Sequence, residues 1–138
     1  MAEITRFSIS IEQELAARLD RLTREKGYTN RSEFVRDLVR DALVEEEWER
    51  NEVALGTITL VYEHNRRQLS DKLTGLQHDH HHLILATTHV HLDHDLCAEA
   101  IIVKGRAAKI RELSDLLRKQ GGVLHGGLTM SSIGKEIR

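Results

Sequence analysis

The 138-residue chain lies near the low end of ordinary domain lengths, and its 40% hydrophobic and 30% charged residues favour a soluble globular protein over a disordered one. A formal net charge of −2 excludes a bulk basic signal for nucleic acid, although a small basic stripe can hide within a near-neutral total. The sequence shows neither a membrane-spanning apolar run nor a secretory signal, and its one cysteine, Cys97, excludes an intramolecular disulfide, so we expect a cytoplasmic protein.

The first elements in chain order are a strand and two helices. Residues 4–11 alternate apolar and polar side chains, which predicts a strand with one apolar face. Residues 12–26 carry leucines at helical spacing and end at Gly27, which suits a helix C-terminus. Asn30, followed three residues later by Glu33, predicts the start of a second helix.

A single strand has no hydrogen-bonding partner within this part of the chain, and about 45 residues bury little core unaided. We therefore predict that the strand pairs with the same strand of a second chain. An acidic segment over residues 44–51 without apolar periodicity then divides the chain. The expected organisation is an N-terminal domain over 1–46, a linker over 47–52 and a second domain over 53–138.

The sequence of the second part, from residue 53 onwards, predicts the element order β-α-β-β-α-β, which is the ferredoxin-like arrangement. The tail over 131–138 is expected to fray. The predicted strands cover residues 53–62, 83–92, 96–104 and 123–130, and the predicted helices cover 66–77 and 107–120.

Seven of the nine histidines lie within 17 residues, and a cysteine follows them, which indicates metal chemistry. Two of them, His89 and His91, lie on one face of a predicted strand, and a hairpin would return Cys97 beside them. Such ligands suit tetrahedral zinc or planar nickel or copper. An exposed histidine-rich strand with an inert cysteine is the alternative. The seven are His78, His80, His81, His82, His89, His91 and His94.

The same region, residues 89–94, matches the H-x-H-x-D-H pattern of metallo-β-lactamase-like hydrolases, in which two zinc ions activate water. That fold is much longer than this chain, and it needs further histidines downstream, where only His125 is present. We therefore treat this match as coincidence and expect no catalysis.

Polar side chains of the two-stranded ribbon that paired copies of residues 4–11 would form could contact DNA bases. Two paired strands fit the major groove, where Arg6, Ser8 and Ser10 would reach base edges, although a solvated polar face is the alternative. The N–H groups at the start of the second predicted helix suit phosphate. The residues at that helix start are Asn30, Arg31 and Ser32.

Residues 4–43 resemble the ribbon-helix-helix DNA-binding domain, and residues 4–130 together resemble the nickel-responsive transcriptional regulators. The second resemblance is most specific in Gln-His-Asp-His-His-His at 77–82, in Thr-His-Val-His-Leu-Asp-His-Asp-Leu-Cys at 88–97 and in Val-Lys-Gly at 103–105. It implies an α+β chain with an N-terminal β-α-α domain that is an obligate dimer. It also implies a C-terminal ferredoxin-like, ACT-type domain in a homotetramer built as a dimer of dimers.

The resemblance further implies one Ni(II) per subunit, held by His89, His91 and Cys97 of one subunit and His78 of another. It implies a nickel-dependent repressor of nickel-uptake genes that binds double-stranded operator DNA and is not an enzyme. The resemblance also implies that Arg66 and Arg67 contact DNA phosphates; the alternative is a solvated helix end. It further implies a second, hard-cation site at Glu33 and Asp37; the alternative is a solvated pair of carboxylates.

Three alternatives stay open at this point. A metal-storage or metal-chaperone protein would bind metal without specific DNA binding. A copper- or zinc-responsive repressor would keep the architecture and change the ion, because raw affinity tends to favour copper over nickel. An antitoxin-like protein would use residues 53–130 to bind a protein partner, which the histidine spacing disfavours.

Overall fold

The computed structural model describes residues 2–138, which fall into two compact units that divide between Arg40 and Asp41. Within residues 2–138, no helix combines the length and apolar character that a membrane crossing requires. In chain order the elements are α1 (Gln13–Glu25), α2 (Arg31–Glu49), β1 (Val53–Glu63), α3 (Leu69–Asp79), β2 (Ile84–His91), β3 (Leu96–Arg106), α4 (Ala107–Arg118) and β4 (Val123–Ser131).

The turn between α1 and α2 follows the predicted capping residues. Gly27 has a φ of +78°, a left-handed conformation that glycine adopts without the steric cost of a Cβ. Three residues later, Asn30 Oδ1 accepts a hydrogen bond of 3.0 Å from the Glu33 amide, as an N-cap does. Phe34 is buried beneath the turn, with its ring centroid 5.0 Å from that of Tyr28.

The predicted N-terminal strand is not formed within the single chain, because residues 2–11 belong to no sheet. Its apolar side chains are open to solvent: Ile4 is 86% exposed, Phe7 76% and Ile9 60%. A strand exists through the hydrogen bonds that it makes to a neighbour, and no other strand of this unit is available to pair with it.

The C-terminal unit contains one antiparallel sheet in the order β2-β3-β1-β4. Together with α3 and α4, this order confirms the predicted ferredoxin-like arrangement. Alternate side chains of β1 and β3 point to one face, which α3 and α4 cover. The fully buried side chains at this interface include Ile58, Leu60, Leu73, Ile101, Ile110, Leu113 and Leu117.

The last turn of α2 is anchored within the C-terminal unit. Trp48 is buried in its core, and the indole Nε1 donates a 2.9 Å hydrogen bond to the Ser131 carbonyl. Glu47 is also buried and accepts a 3.0 Å hydrogen bond from the Ser132 hydroxyl, which itself accepts one from the Gly134 amide. The expectation that residues 131–138 fray is therefore wrong for residues 131–134, because these contacts hold the start of the tail.

Candidate metal centre and nucleic-acid interface

The centre of the candidate metal site is Cys97, which is fully buried on β3. Its Sγ lies 3.3 Å from Nδ1 of His91, the residue directly opposite on β2, and 3.1 Å from Nδ1 of His64. These three ligand atoms all lie within 4.8 Å of one another. Among residues 2–138 this is the one group of three or more histidine, cysteine or carboxylate ligands that are so close.

A tight turn between β2 and β3 places Cys97 beside His91. The Asp93 carboxylate accepts hydrogen bonds from the amides of Asp95 and Leu96, at 2.8 and 2.9 Å. These side-chain hydrogen bonds reverse the chain within the Asp-His-Asp segment. The hairpin that the sequence predicts is thus formed, and it brings a thiol next to an imidazole.

His64 is a site residue that the sequence analysis missed. It directly follows β1, and its backbone amide donates a 2.7 Å hydrogen bond to the Asp95 carbonyl, which fixes it beside the β2–β3 turn. Its ring lies 4.9 Å from that of His91, edge to face. His64 is outside the histidine-rich segment in sequence, and only the pairing of β1 with β3 brings it to Cys97.

His89 lies one pleat away from this group. It is opposite Glu99 on β3, with its ring 5.2 Å from that of His91 and its Nε2 3.4 Å from the Tyr62 hydroxyl. His78 lies in the last turn of α3, exposed to solvent, and is not part of the three-ligand group. The single chain therefore brings two of the four predicted ligands together, His91 and Cys97, with His89 beside them and His78 apart.

The electrostatics of the pocket keep the thiol protonated. Burial raises the pKa of the Cys97 thiol, and the carboxylates of Glu99 and Asp93 raise it further. Burial, with a smaller contribution from Glu99, also raises the pKa of Tyr62 to about 12. A divalent cation would reverse this balance, since metal binding deprotonates a ligating thiol. Two imidazoles and a thiolate near carboxylates form a donor set that fits a borderline-soft transition metal.

A chain of hydrogen bonds connects the C-terminal end of α3 to the sheet beside this pocket. The Gln77 amide group donates a 3.1 Å hydrogen bond to the buried carboxylate of Glu99. The oxygen of the same amide accepts a 3.1 Å hydrogen bond from the Thr87 hydroxyl on β2. Because Gln77 precedes His78, these contacts fix the part of the helix from which His78 projects.

The remaining tract histidines lie near the end of α3 and the turn after it. Nδ1 of His80 is 2.8 Å from the Leu76 carbonyl, and Nδ1 of His81 is 3.0 Å from the His78 carbonyl. A carbonyl oxygen only accepts, so Nδ1 is the donor in each of these two contacts. His82 and His94 are exposed.

Basic residues between β1 and α3 border a separate open cleft. Arg66 and Arg67 precede α3, and do not begin it as predicted, because Gln68 adopts a left-handed φ of +65° that interrupts the helical conformation. Both arginines are exposed and line the cleft together with Lys72 and Gly121.

The N-terminal unit carries the predicted DNA contacts. Arg6, Ser8 and Ser10 are exposed within residues 2–11, and Ser32 is exposed in the first turn of α2. The side chain of Asn30 caps α2, as described above. Arg31 forms a bidentate contact with Asp20: Nε donates to Oδ1 at 2.5 Å and Nη2 donates to Oδ2 at 2.7 Å.

The predicted hard-cation pair, Glu33 and Asp37, lies one turn apart in α2. Asp37 accepts hydrogen bonds from the Tyr28 hydroxyl at 2.6 Å and from Nη1 of Arg40 at 3.2 Å. The Tyr28 hydrogen bond, more than the nearby arginines, lowers the pKa of the Asp37 carboxyl. Both carboxylate oxygens of Asp37 thus have protein partners, so a cation at this pair would compete with them.

Comparisons with known proteins match both units to families. Residues 55–131 match the family described as the NikR C terminal nickel binding domain, and residues 5–46 match the ribbon-helix-helix protein, copG family. Two similar proteins, from Solibacter usitatus and Geobacter metallireducens, are each 50% identical to this chain. The first alignment covers 100% of both chains and the second 99% of both. Both relatives carry the name "Putative nickel-responsive regulator".

A solved structure supports the fold of the C-terminal unit. An uncharacterized protein from Thermotoga maritima superimposes with a TM-score of 0.52 at 20% sequence identity, covering 57% of this chain and 98% of its own. At that identity the likeness concerns the fold alone.

Proposed function

The chain belongs to the family of nickel-responsive regulators, and from this premise we propose that it is a cytoplasmic, nickel-dependent repressor of nickel-uptake genes. The family consists of transcriptional regulators and not of enzymes. Its N-terminal ribbon-helix-helix domain is a DNA-binding domain, and its C-terminal domain binds nickel. Repression, operator recognition, the tetramer and the cellular location are the steps that the proposal adds.

The observation that carries the proposal is the contact between Cys97 and His91 on neighbouring strands of the nickel-binding domain. We infer one Ni(II) per subunit, held by His89, His91 and Cys97 of one subunit and by His78 of another. His78 stands apart from Cys97 within its own chain, which supports a ligand shared between subunits. When bound, nickel would link α3 of one subunit to β2 and β3 of its neighbour.

The surroundings of these ligands suit that role. Gln77 is hydrogen-bonded to both Glu99 and Thr87, so the end of α3 that carries His78 is held beside the sheet. Just before the other end of α3, Arg66 and Arg67 are exposed, with Nη1 of Arg66 3.8 Å from the Glu63 carboxylate, and they would contact DNA phosphates. If nickel binding and DNA binding are coupled through α3, the coupling is reciprocal: nickel raises the affinity for the operator by the same factor by which the operator raises the affinity for nickel.

We also propose a homotetramer built from two ribbon-helix-helix dimers around a core of four C-terminal domains. The apolar face of residues 4–11 is exposed in the single chain and would be buried when two such segments pair. Pairing would place Arg6, Ser8 and Ser10 on the opposite, polar face of the ribbon, where they would contact bases. Amides and side chains of Asn30, Arg31 and Ser32 would contact phosphates on either side.

A nickel titration of the apo-protein, followed by absorption spectroscopy, tests the metal site. We expect one equivalent per chain with thiolate-to-nickel charge-transfer bands, and we expect Cys97→Ala to abolish these bands while the helical circular dichroism is retained. His125→Ala is the matched control, because His125 is an exposed histidine on β4. Bands that persist in the Cys97 variant would remove this residue from the site.

Operator binding is tested by fluorescence anisotropy with and without nickel. We expect nickel to increase operator affinity, and Arg6→Ala to weaken it by about 1–3 kcal/mol if Arg6 reads a base. Nickel binding without sequence-specific DNA affinity would instead indicate a metal-storage or metal-chaperone protein. An unchanged affinity for the Arg6 variant would contradict the base contact alone.

One observation favours zinc as the alternative ion. His64, His91 and Cys97 offer two nitrogens and one sulfur within a single chain, and zinc accepts such donors tetrahedrally. A repressor that responded to zinc would show zinc-dependent operator binding that survives His78→Ala and fails in His64→Ala. Nickel dependence that is lost in His78→Ala supports the primary proposal.

A further inference from the structure

An ion pair joins α1 to the first residue of α2. Asp20 and Arg31 meet through two parallel hydrogen bonds of 2.5 and 2.7 Å, the fork geometry that aligns a guanidinium with a carboxylate. Arg31 is one of the proposed phosphate contacts, so its partner bears directly on how it meets DNA. The Arg31 side chain is 61% exposed and the Asp20 side chain 36% exposed, so a phosphate can approach the pair.

We propose that Asp20 is a positioning residue that limits how strongly Arg31 binds DNA phosphate. This inference rests on the proposed DNA-binding function. The carboxylate occupies Nε and Nη2 of Arg31, which leaves Nη1 as the edge that faces other acceptors. Arg31 is thereby held in one orientation, and its positive charge is largely balanced by Asp20.

Charge accounts for the direction of the effect. Non-specific binding to DNA arises mainly from cationic side chains that neutralise phosphates and release counterions. An arginine already balanced by a carboxylate neutralises less phosphate charge than a free one, and the carboxylate repels the phosphate itself. The hydrogen bond from Arg31 lowers the pKa of Asp20, so this side chain stays ionised throughout the neutral range. Asp20 would thus weaken binding to any DNA sequence, and discrimination would rest more on base contacts.

The nearby pair Arg21–Glu25 provides a matched control. It lies on the same helix, α1, at a distance of 3.5 Å, and it does not involve Arg31. Asp20→Asn and Glu25→Gln each remove one negative charge from an exposed carboxylate and keep its shape. Any difference in DNA binding between the two variants therefore comes from the position of the charge and not from the net charge.

The experiment measures binding of the full-length, nickel-loaded protein to operator and to non-operator duplexes over a range of salt concentrations. We expect Asp20→Asn to bind non-operator DNA about threefold more tightly, as for one screened charge a few ångströms from a phosphate. Its plot of log affinity against log salt should steepen by about 0.9, as for one more neutralised phosphate. Glu25→Gln should match the wild-type protein, and Arg31→Ala should remove the gain in the Asp20→Asn background.

Three outcomes would overturn the inference: equal slopes for Asp20→Asn and Glu25→Gln, weaker binding by Asp20→Asn, or a gain that survives Arg31→Ala. Circular dichroism and Trp48 emission identify any variant that has unfolded, and Asp20→Ser then replaces Asp20→Asn. Operator binding by the wild-type protein that does not depend on nickel would refute the proposed function instead. The non-operator measurement with Asp20→Asn would still decide the role of Asp20 in that case.

Discussion

The two units of the chain differ in where their apolar side chains lie. In the N-terminal unit, Phe7 is 76% exposed and Leu15 51%, while Phe34 is the buried apolar side chain of the described part of this unit. In the C-terminal unit, helices α3 and α4 enclose one face of the sheet, and residues such as Ile58 and Leu113 are fully buried. One part of the chain thus builds a core by itself, and the other presents exposed apolar side chains, which the proposed dimer would cover.

This difference follows from size and topology. A β-α-α segment of about 45 residues has too little buried area for independent stability, and its strand lacks a partner. A β-α-β-β-α-β unit satisfies the backbone groups of all four strands within one sheet and packs two helices upon it. In the proposed dimer, folding of the first part would depend on protein concentration, whereas folding of the second part would depend mainly on its own sequence.

The largest effect that we predict follows from Phe7→Glu, which places a charge on the apolar face of residues 4–11. Burying a glutamate where a phenylalanine packs should cost more than about 3 kcal/mol of dimer stability and so raise the dissociation constant of the dimer at least 100-fold. Analytical ultracentrifugation and operator binding check this result. Ser8→Glu, on the polar face, should leave association intact and reduce only DNA binding.

The Phe7→Glu variant also separates the two units. The chain has one tryptophan, Trp48, and it lies in the core of the C-terminal unit. Its fluorescence therefore reports unfolding of that unit, and we expect the urea transition to be the same in Phe7→Glu and in the wild-type protein. A shift of that transition would show that the C-terminal unit also depends on the N-terminal dimer.

Leu113→Ala tests the opposite side of the comparison. Leu113 is fully buried on α4, so its truncation should destabilise the C-terminal unit by about 2–5 kcal/mol through lost burial and a residual cavity. The Trp48 transition in urea measures the change. Leu85→Ala, at a position that is 61% exposed, should have a much smaller effect, and similar losses for the two variants would contradict the described core.

Ser132→Ala should have an intermediate effect on the same transition. It removes the hydrogen bond to the buried Glu47 carboxylate and leaves a polar atom without that partner, which costs about 1–3 kcal/mol. We expect a lower urea midpoint for the Trp48 signal and unchanged nickel absorption. The double variant Ser132→Ala with Glu47→Leu should recover part of the loss, since both polar groups are then absent.

Asn30→Ala should have the smallest effect, on the N-terminal unit alone. Removing the cap at the start of α2 costs about 1 kcal/mol of helix stability. Thermal melting followed by far-ultraviolet circular dichroism should show an earlier loss of helical signal, with the Trp48 transition unchanged. Asn30→Ser, which keeps a capping oxygen, is the control, and equal melting of both variants would exclude the cap as the cause.

Most helices and strands could be predicted from the sequence because their signals are local. Apolar spacing located α4, and the Gly27 and Asn30 signals located the turn between α1 and α2. The start of α3 was misplaced because the left-handed conformation of Gln68 has no clear signature in residue type. The N-terminal strand was predicted to pair with the same strand of a second chain, and the single chain does not test that pairing, because the alternation encodes a face and not a partner.

The candidate site was only partly predictable for the same reason. His91 and Cys97 could be placed together because a short hairpin connects them along the chain. His64 could not, since it lies 33 residues from Cys97 and meets it through the pairing of β1 with β3. The network of Gln77, Glu99 and Thr87 likewise joins a helix to two strands that are distant in sequence.

By itself the sequence determined the order of elements, the family resemblance and the histidine-cysteine chemistry, because residue type and spacing carry these properties. Tertiary structure alone decided which histidine contacts Cys97, that Trp48 and Glu47 anchor the end of α2, and that Asp20 holds Arg31. Each of these contacts depends on two segments meeting in space. Sequence periodicity describes one segment at a time, so it specifies the faces that must be covered but not the side chains that cover them.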